Sequence, residues 1–351
     1  MINSYQKAIQ YLNEKKSLGV MPGLERIKAA LEEKGNPQND FKIIHIAGTN
    51  GKGTVAATIS KALENNGFRV GLFTTPWVVS CREQIQLCGE MISCEDFTRL
   101  TDECQNDVCT EFETLVLMAY LFFSRNKVDY AVVECGMGGL GDATNVENDN
   151  LSVITPISFD HTDYFGSSIE DIAKEKAGIL RKSCDCIIYS DEFKDIFAPH
   201  CKKLYISPDK DNLSLVNTVL DYLGINAVSE LVRLPARQER IGSILLDGGH
   251  NKSAGEYLSK VIENETALIG MLKDKDVDAY LSFVAPKCKK IITVTPKSER
   301  AMDSKELLVY AKRYCNDVIS YNDINEALND FSITLVCGSF YLAREIRKIL
   351  I

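Results

Sequence analysis

Apolar residues along this chain gather into short continuous runs, separated by longer stretches in which they recur every third or fourth position. The runs at 42–46 (KIIHI), 69–73 (RVGLF), 129–134 (DYAVVE), 151–157 and 186–190 read as buried strands. So do the later runs at 243–246, 266–271, 290–295 and 333–337. Helical periodicity fills the spaces between them. It covers 4–18, 22–35 (opened by Pro22 and stopped by Gly35 with Asn36-Pro37), 94–107, a buried helix opening at Phe112, 212–223, 253–264, 277–285, 304–315 and the C-terminal residues. Strand alternating with helix predicts an α/β protein with mostly parallel sheets. At 351 residues the chain is long for one domain, and two are expected, at 1–232 and 233–351.

The first strand leads straight into chemistry. Gly48-Thr49-Asn50-Gly51-Lys52-Gly53-Thr54 joins it to an alanine-rich helix. A glycine loop between a strand and a helix N-terminus is an anion site. Backbone N–H groups converge there, the helix dipole adds partial positive charge, and glycines let the chain approach phosphate closely. Lys52 is placed to put a point charge on the β/γ-phosphates, and Thr54 a hydroxyl on Mg²⁺. Glu134 ends the third strand at its carboxyl end, where open α/β sheets hold ligands, so it is the expected metal carboxylate. The N-terminal sheet is thus expected to be of P-loop type, flanked by helices.

Composition narrows the class without naming it. Apolar residues make up 45% and charged residues 25%, as in an ordinary globular protein. No apolar run is long enough to span a membrane, and the polar, amphipathic N-terminus lacks a signal-peptide core. The net charge of −9 offers no footprint for nucleic acid. The twelve cysteines are scattered, and Cys184-Asp185-Cys186 fits neither zinc nor redox spacing. Free thiols in a reducing cytoplasm are the expectation.

The order Gly-Thr-Asn-Gly-Lys-Gly-Thr, with Gly53 between lysine and hydroxyl, resembles the nucleotide loop of the Mur ligase superfamily. The preceding His45-Ile46-Ala47 and the opening from Met21 to Thr54 resemble the folylpolyglutamate synthase/dihydrofolate synthase branch. Further resemblances follow in order: Phe112-Glu113, Gly136 to Asn145 with its Asp142-Ala143-Thr144-Asn145, Asp160-His161, and Glu175-Lys176-Ala177-Gly178. Pro235-Ala236-Arg237 resembles the family's Pro-Gly-Arg, and Asp247-Gly248-Gly249-His250-Asn251 its Asp-Gly-Ala-His-Asn.

Where the family carries Ser-Pro-His-Leu, this chain has Thr75-Pro76-Trp77-Val78; Gln84 replaces a cation, and Leu140 an arginine. Trp77 either stacks on a flat ligand or plugs its loop onto the core. Between 181 and 234 the chain departs from the pattern. Asn212 matches the asparagine of a His-Gln-x-x-Asn motif, Asp209 stands at its glutamine, and several tens of residues are missing.

The resemblance implies an ATP-dependent ligase, in folate biosynthesis and one-carbon metabolism, that joins L-glutamate to a folate or dihydropteroate carboxylate through an acyl phosphate. ADP and phosphate are released. It implies His161 as a metal ligand beside Thr54 and Glu134, and carbamylated Lys176 assisting a second Mg²⁺. It implies Arg237 on the γ-phosphate, with Asn212 and Asp247 also on the nucleotide. It implies His250 near the incoming amino acid, and Thr75, Pro76, Trp77, Asp142 and Thr144 near the acid substrate. Lys52, Lys176, Arg237 and His250 form the expected catalytic set, on a smaller C-terminal Rossmann-like domain as well as the first. A cytoplasmic monomer is expected. Two rivals are a ligase acting on a non-folate acid, and a nucleotide-binding protein without ligase activity.

Overall fold

The computed structural model describes all residues except 20, 22, 147, 148, 161 and 167. Pro22, expected to open the second helix, and His161, expected to hold metal, lie outside the described residues. The chain divides into two compact units, residues 1–157 with 165–232, and residues 158–164 with 233–351.

The first unit is built on eight strands: β1 (Lys42–Ala47), β2 (Val70–Phe73), β3 (Ile85–Leu87), β4 (Glu90–Met91), β5 (Tyr130–Glu134), β6 (Asp149–Ile154), β7 (Asp185–Ile188) and β8 (Leu204–Ile206). Their order is β4-β3-β2-β5-β1-β6-β7-β8. All neighbours from β2 to β8 are parallel, and only β3, antiparallel to both β2 and β4, runs against the rest. Lys42–Ala47 is buried on both faces, as a central parallel strand must be. From β1 the chain crosses to β2 on one side and later to β6 on the other, so the crevice at the end of β1 is a topological switch point. Helix Glu111–Arg125 is buried almost all round, its start fixed by a reciprocal cap between Thr110 and Glu113.

The second unit is a six-stranded sheet: β9 (Glu239–Ile241), β10 (Ile244–Leu246), β11 (Glu265–Ile269), β12 (Cys288–Thr293), β13 (Val318–Ser320) and β14 (Leu335–Cys337), ordered β13-β12-β11-β14-β10-β9. Only β9 is antiparallel. Its faces are covered by separate apolar clusters, one around Tyr280 and Leu281, the other around Ile324 and Leu342.

The periodicity located the central strands and omitted the rims. The hairpin β3–β4 and the edge strands β8, β9 and β13 were not expected. The second helix runs over Glu25–Glu33, shorter than 22–35. The segment 158–164 groups with the second unit because Asp160 is bonded there, to Asn251 and Lys275. All twelve cysteines are free thiols. Among the described residues no helix is long and apolar enough to cross a membrane.

Candidate active site

The loop after β1 is shaped by contacts that only glycine permits. Gly48 has φ +147°, and a Cβ there would meet the Thr155 hydroxyl at 1.9 Å. Gly51 has φ +82°, and its Cβ would meet the Asn212 amide at 2.5 Å. Thr155 follows β6, and Asn212 opens helix Asn212–Tyr222, so the loop is wedged between two other elements. The amides of Thr49 and Asn50 both donate to the Pro156 carbonyl, at 2.9 and 3.4 Å. The backbone donors left for an anion are therefore those of the first turn of helix Lys52–Asn65, where Lys52, Gly53 and Thr54 have no intrahelical carbonyl to bond.

Lys52 lies over this turn. Its ammonium donates to the Thr49 carbonyl at 3.3 Å and sits 4.0 Å from the Glu134 carboxylate. Glu134 is 2% exposed, and its Oε2 accepts from the Thr75 amide at 2.9 Å. That bond ties Thr75-Pro76-Trp77 to the strand end facing the phosphate loop. Glu83 holds the same loop from its other end, accepting from the amides of Val78, Val79 (2.9 Å) and Ser80 (3.4 Å). The sequence marks Glu83 only as the acid of Glu83-Gln84-Ile85, which resembles the family's Glu-Arg-Ile, and gives no sign of this anchoring role. Trp77 is half-buried, and Gln84 is 6% exposed with its amide on the Cys81 carbonyl.

Asp142 and Thr144, expected at the acid substrate, are buried, and Asp142 braces a second glycine-rich loop, residues 136–141. Asp142 accepts from the Met137 amide (2.7 Å), the Thr144 amide (3.0 Å) and the Thr144 hydroxyl (2.5 Å). His45 Nε2 lies 2.8 Å from that hydroxyl. Lys176 is 4% exposed in helix Ile169–Ala177, whose end packs backbone to backbone on this loop. A Cβ on Gly139 would meet the Glu175 carbonyl at 2.8 Å.

In the second unit Arg237 sits between two non-glycine residues in left-handed conformation, Ala236 (φ +53°) and Gln238 (φ +50°). Such residues cost roughly 1 kcal/mol each and persist only when neighbours impose them. Here the Gln238 and Gly249 amides donate to the two oxygens of Asp247 (3.1 and 2.8 Å), and the Ala236 amide to Glu239 (2.8 Å). Arg347 in turn grips Glu239 at 3.0 Å. The Arg237 guanidinium lies over the Phe340 ring at 4.7 Å. Burial pushes the Asp247 carboxyl above its ordinary range, against the Gly249 amide and the Arg237 charge.

His250 donates from Nδ1 to the Gly248 carbonyl (3.1 Å), leaving Nε2 as the lone-pair nitrogen, 3.9 Å from Asp160. Burial, reinforced by the charge of Lys275, lowers its pKa to about 4. Lys275, 4% exposed, donates to Asp160 at 2.8 Å.

Among the described residues no three His, Cys, Asp or Glu side chains cluster as a metal cage. Mg²⁺ needs none, since it is commonly held by a carboxylate, a hydroxyl, substrate phosphates and water. Glu134 Oε1 and the Thr54 hydroxyl are oxygen donors of that hard type.

A glycine loop on a helix N-terminus, a lysine over it and a strand-end carboxylate beside it define a nucleotide-binding α/β protein. Residues 46–217 match the Mur ligase middle domain. The dihydrofolate synthase/folylpolyglutamate synthase of Bacillus subtilis is 28% identical, with 99% of each chain covered. Its alignment of 429 residues is 78 longer than this chain's 351, so the shortening is real. The protein of the same description from Buchnera aphidicola subsp. Schizaphis graminum is 31% identical over 87% of each chain. The structure of Mycobacterium tuberculosis folylpolyglutamate synthase complexed with ADP and AMPPCP superposes with a TM-score of 0.85 at 25% identity, covering 98% of this chain and 99% of that one. The chain belongs to the dihydrofolate synthase/folylpolyglutamate synthase family.

Proposed function

We propose that the protein is an ATP-dependent, ADP-forming ligase that joins L-glutamate to the carboxylate of a folate or dihydropteroate acceptor. The observation that carries this reading is the arrangement at the end of β1. Glu134 faces Lys52 at 4.0 Å and accepts from the Thr75 amide at 2.9 Å, beside the free first-turn amides, so on this reading a triphosphate and an acceptor loop share one carboxylate.

Acyl-phosphate chemistry asks for two things from such a site. Charge on the γ-phosphoryl group must be neutralised as it moves to the acceptor carboxylate, and water must be kept from the intermediate. Lys52 and the helix amides supply the first part, and Arg237, fixed by its strained loop and Phe340, is assigned the same phosphoryl group. Mg²⁺ would be held by Thr54 and Glu134 and would neutralise phosphate charge. We assign His161 to the same metal, and Lys176, in carbamylated form, to a second. Asn212 and Asp247 are assigned to the nucleotide. Asp142 and Thr144 serve the acceptor indirectly, by shaping the loop beneath it. His250, neutral at pH 7, is assigned the proton that the glutamate nitrogen sheds after its neutral amine attacks the acyl carbon, when that nitrogen is far more acidic than a free ammonium. The two compact units correspond on this reading to an ATP-binding domain and a C-terminal domain, in a cytoplasmic monomer.

Phosphate release from ATP tests the assignment. Release that needs both glutamate and dihydropteroate or tetrahydrofolate is expected, with Lys52→Ala lowering it at least a hundredfold. Glutamate-dependent release with an unrelated acid alone would move the activity to another substrate. No release with any acid would refute a ligase.

A further inference from the structure

Helix Tyr5–Lys15 lies against the first unit along one stripe. Tyr5, Ala8 and Leu12 recur at helical spacing, and Ala8 and Leu12 are buried in the cluster that also holds Phe97 and Leu100. The helix is fixed there without Tyr5. Next to it the Ile2 amide donates to the Asp102 carboxylate, and within it the Tyr11 hydroxyl donates to the Asn106 carbonyl at 3.0 Å. Tyr5, at the start of the stripe, reaches past this layer to the loop that follows β2.

The Tyr5 hydroxyl lies 3.2 Å from the Ser80 hydroxyl and 3.4 Å from the Cys81 sulfur, in hydrogen-bonding reach of both. Its ring meets Phe97 edge-on, with centroids 5.6 Å apart, and the Arg82 guanidinium lies over it at 5.9 Å. One side chain thus touches three successive loop residues from a position 75 residues earlier in the sequence. Ser80 is also the residue that caps the turn Cys81–Gln84, so the contact falls where the loop's own geometry is set.

The loop's other anchors leave this one a distinct task. Glu134 pins the near end by the Thr75 amide. Glu83 belongs to the loop it braces, so it fixes the shape of the turn rather than its place. Arg82 ties the far end to the Ile92 carbonyl at 2.7 Å, beside the rim hairpin β3–β4. Tyr5 joins that end to the packed helical layer. Trp77 stands between the Thr75 and Ser80 anchors, so its resting place follows from where they sit. A loop held before its ligand arrives spares binding the cost of ordering it. An anchor of this kind therefore shows in the affinity for the ligand more than in the chemical step.

We propose that Tyr5 is a positioning residue for the acceptor: through Ser80, Cys81 and Arg82 it sets the place of Thr75-Pro76-Trp77, and with it the affinity for the acid substrate. The inference rests on the ligase reading for what the loop binds. Trp77 separates the two, because it is the chain's only tryptophan and its fluorescence needs no substrate. Acrylamide quenching of that fluorescence, and KM and kcat for acceptor and ATP, are measured on the unaltered full chain and on two variants. Tyr5→Phe keeps the ring and removes the hydroxyl. Tyr11→Phe removes the other tyrosine hydroxyl bond of the same helix, which does not touch the loop. In Tyr5→Phe quenching is expected to increase and the acceptor KM to rise roughly three- to tenfold, while kcat and the KM for ATP stay within about twofold. Tyr11→Phe is expected to lower the melting temperature about as much and to leave quenching and acceptor KM unchanged. Unchanged quenching or an unchanged acceptor KM in Tyr5→Phe, or an equal rise in Tyr11→Phe, overturns the positioning role. If the unaltered chain releases no phosphate with any acid, it is the ligase reading that falls, and quenching alone still decides whether Tyr5 holds the loop.

Discussion

At pH 7 the imidazole of His250 carries no charge, although a carboxylate lies 3.9 Å away. Its burial outweighs that carboxylate, and the Lys275 ammonium and the Arg237 charge add to the bias. The stability consequence has a definite sign. The folded-state value of about 4 lies below the ordinary 6.5, so between these values the unfolded chain binds the proton more readily. The contribution is complete above pH 6.5 and is lost as pH falls toward 4. His250 is partly exposed, and about 2 kcal/mol is the expected size. NMR titration of the ring should give a midpoint near 4, and His250→Gln should flatten stability against pH between 4 and 6.5. A midpoint near 6.5 would deny the desolvation.

The glycine-rich loop and helix Ile169–Ala177 meet more closely than any side chain allows. Gly178, at ordinary φ, has no conformational need to be glycine; its Cβ would meet Leu140 Cα at 2.4 Å and Leu140 N at 2.6 Å. Backbone cannot swing aside as a lysine tip can. Gly178→Ala is therefore expected to destabilise the first unit by about 3 kcal/mol, read as a lowered urea midpoint, and to displace Lys176. An unchanged midpoint would mean that this contact is slack. The motif was legible here because the glycines sit in a distinctive order, whereas the rims of both sheets were not. The β3–β4 turn is Cys88-Gly89, with φ of +49° and +78°; that conformation is usually announced by Asn-Gly, and cysteine hid it. β9 is Glu-Arg-Ile and reads as a hinge, and β8 has three residues, too few for periodicity to register. Thr155 escaped for another reason. A threonine at a strand end has many uses, and only the folded chain shows its hydroxyl left over against Gly48.

Cutting the chain once at 232 does not isolate the second unit, because residues 158–164 belong to it while both flanking stretches belong to the first. This discontinuity has an electrostatic core. Lys275 is 4% exposed, and its charge is met by Asp160 at 2.8 Å. Its other carboxylate neighbour, Asp274, is 4.0 Å away and already held by Arg300. A fragment of residues 233–351 would carry Lys275 without Asp160, a buried cation lacking its main partner. Removing one member of a buried pair is strongly unfavourable, while replacing an unpaired buried charge by an apolar side chain relieves the penalty. Lys275→Met is thus expected to act with opposite sign in two backgrounds. It should stabilise the fragment by roughly 1–3 kcal/mol and destabilise the full chain by a similar amount, since there it takes the ammonium away from the Asp160 carboxylate and leaves it on weaker contacts such as the Asn251 amide. Urea unfolding of the four proteins decides the matter. The same sign in both backgrounds would show that Asp160 does not complete the second unit, and that a linear division at 232 describes the molecule after all.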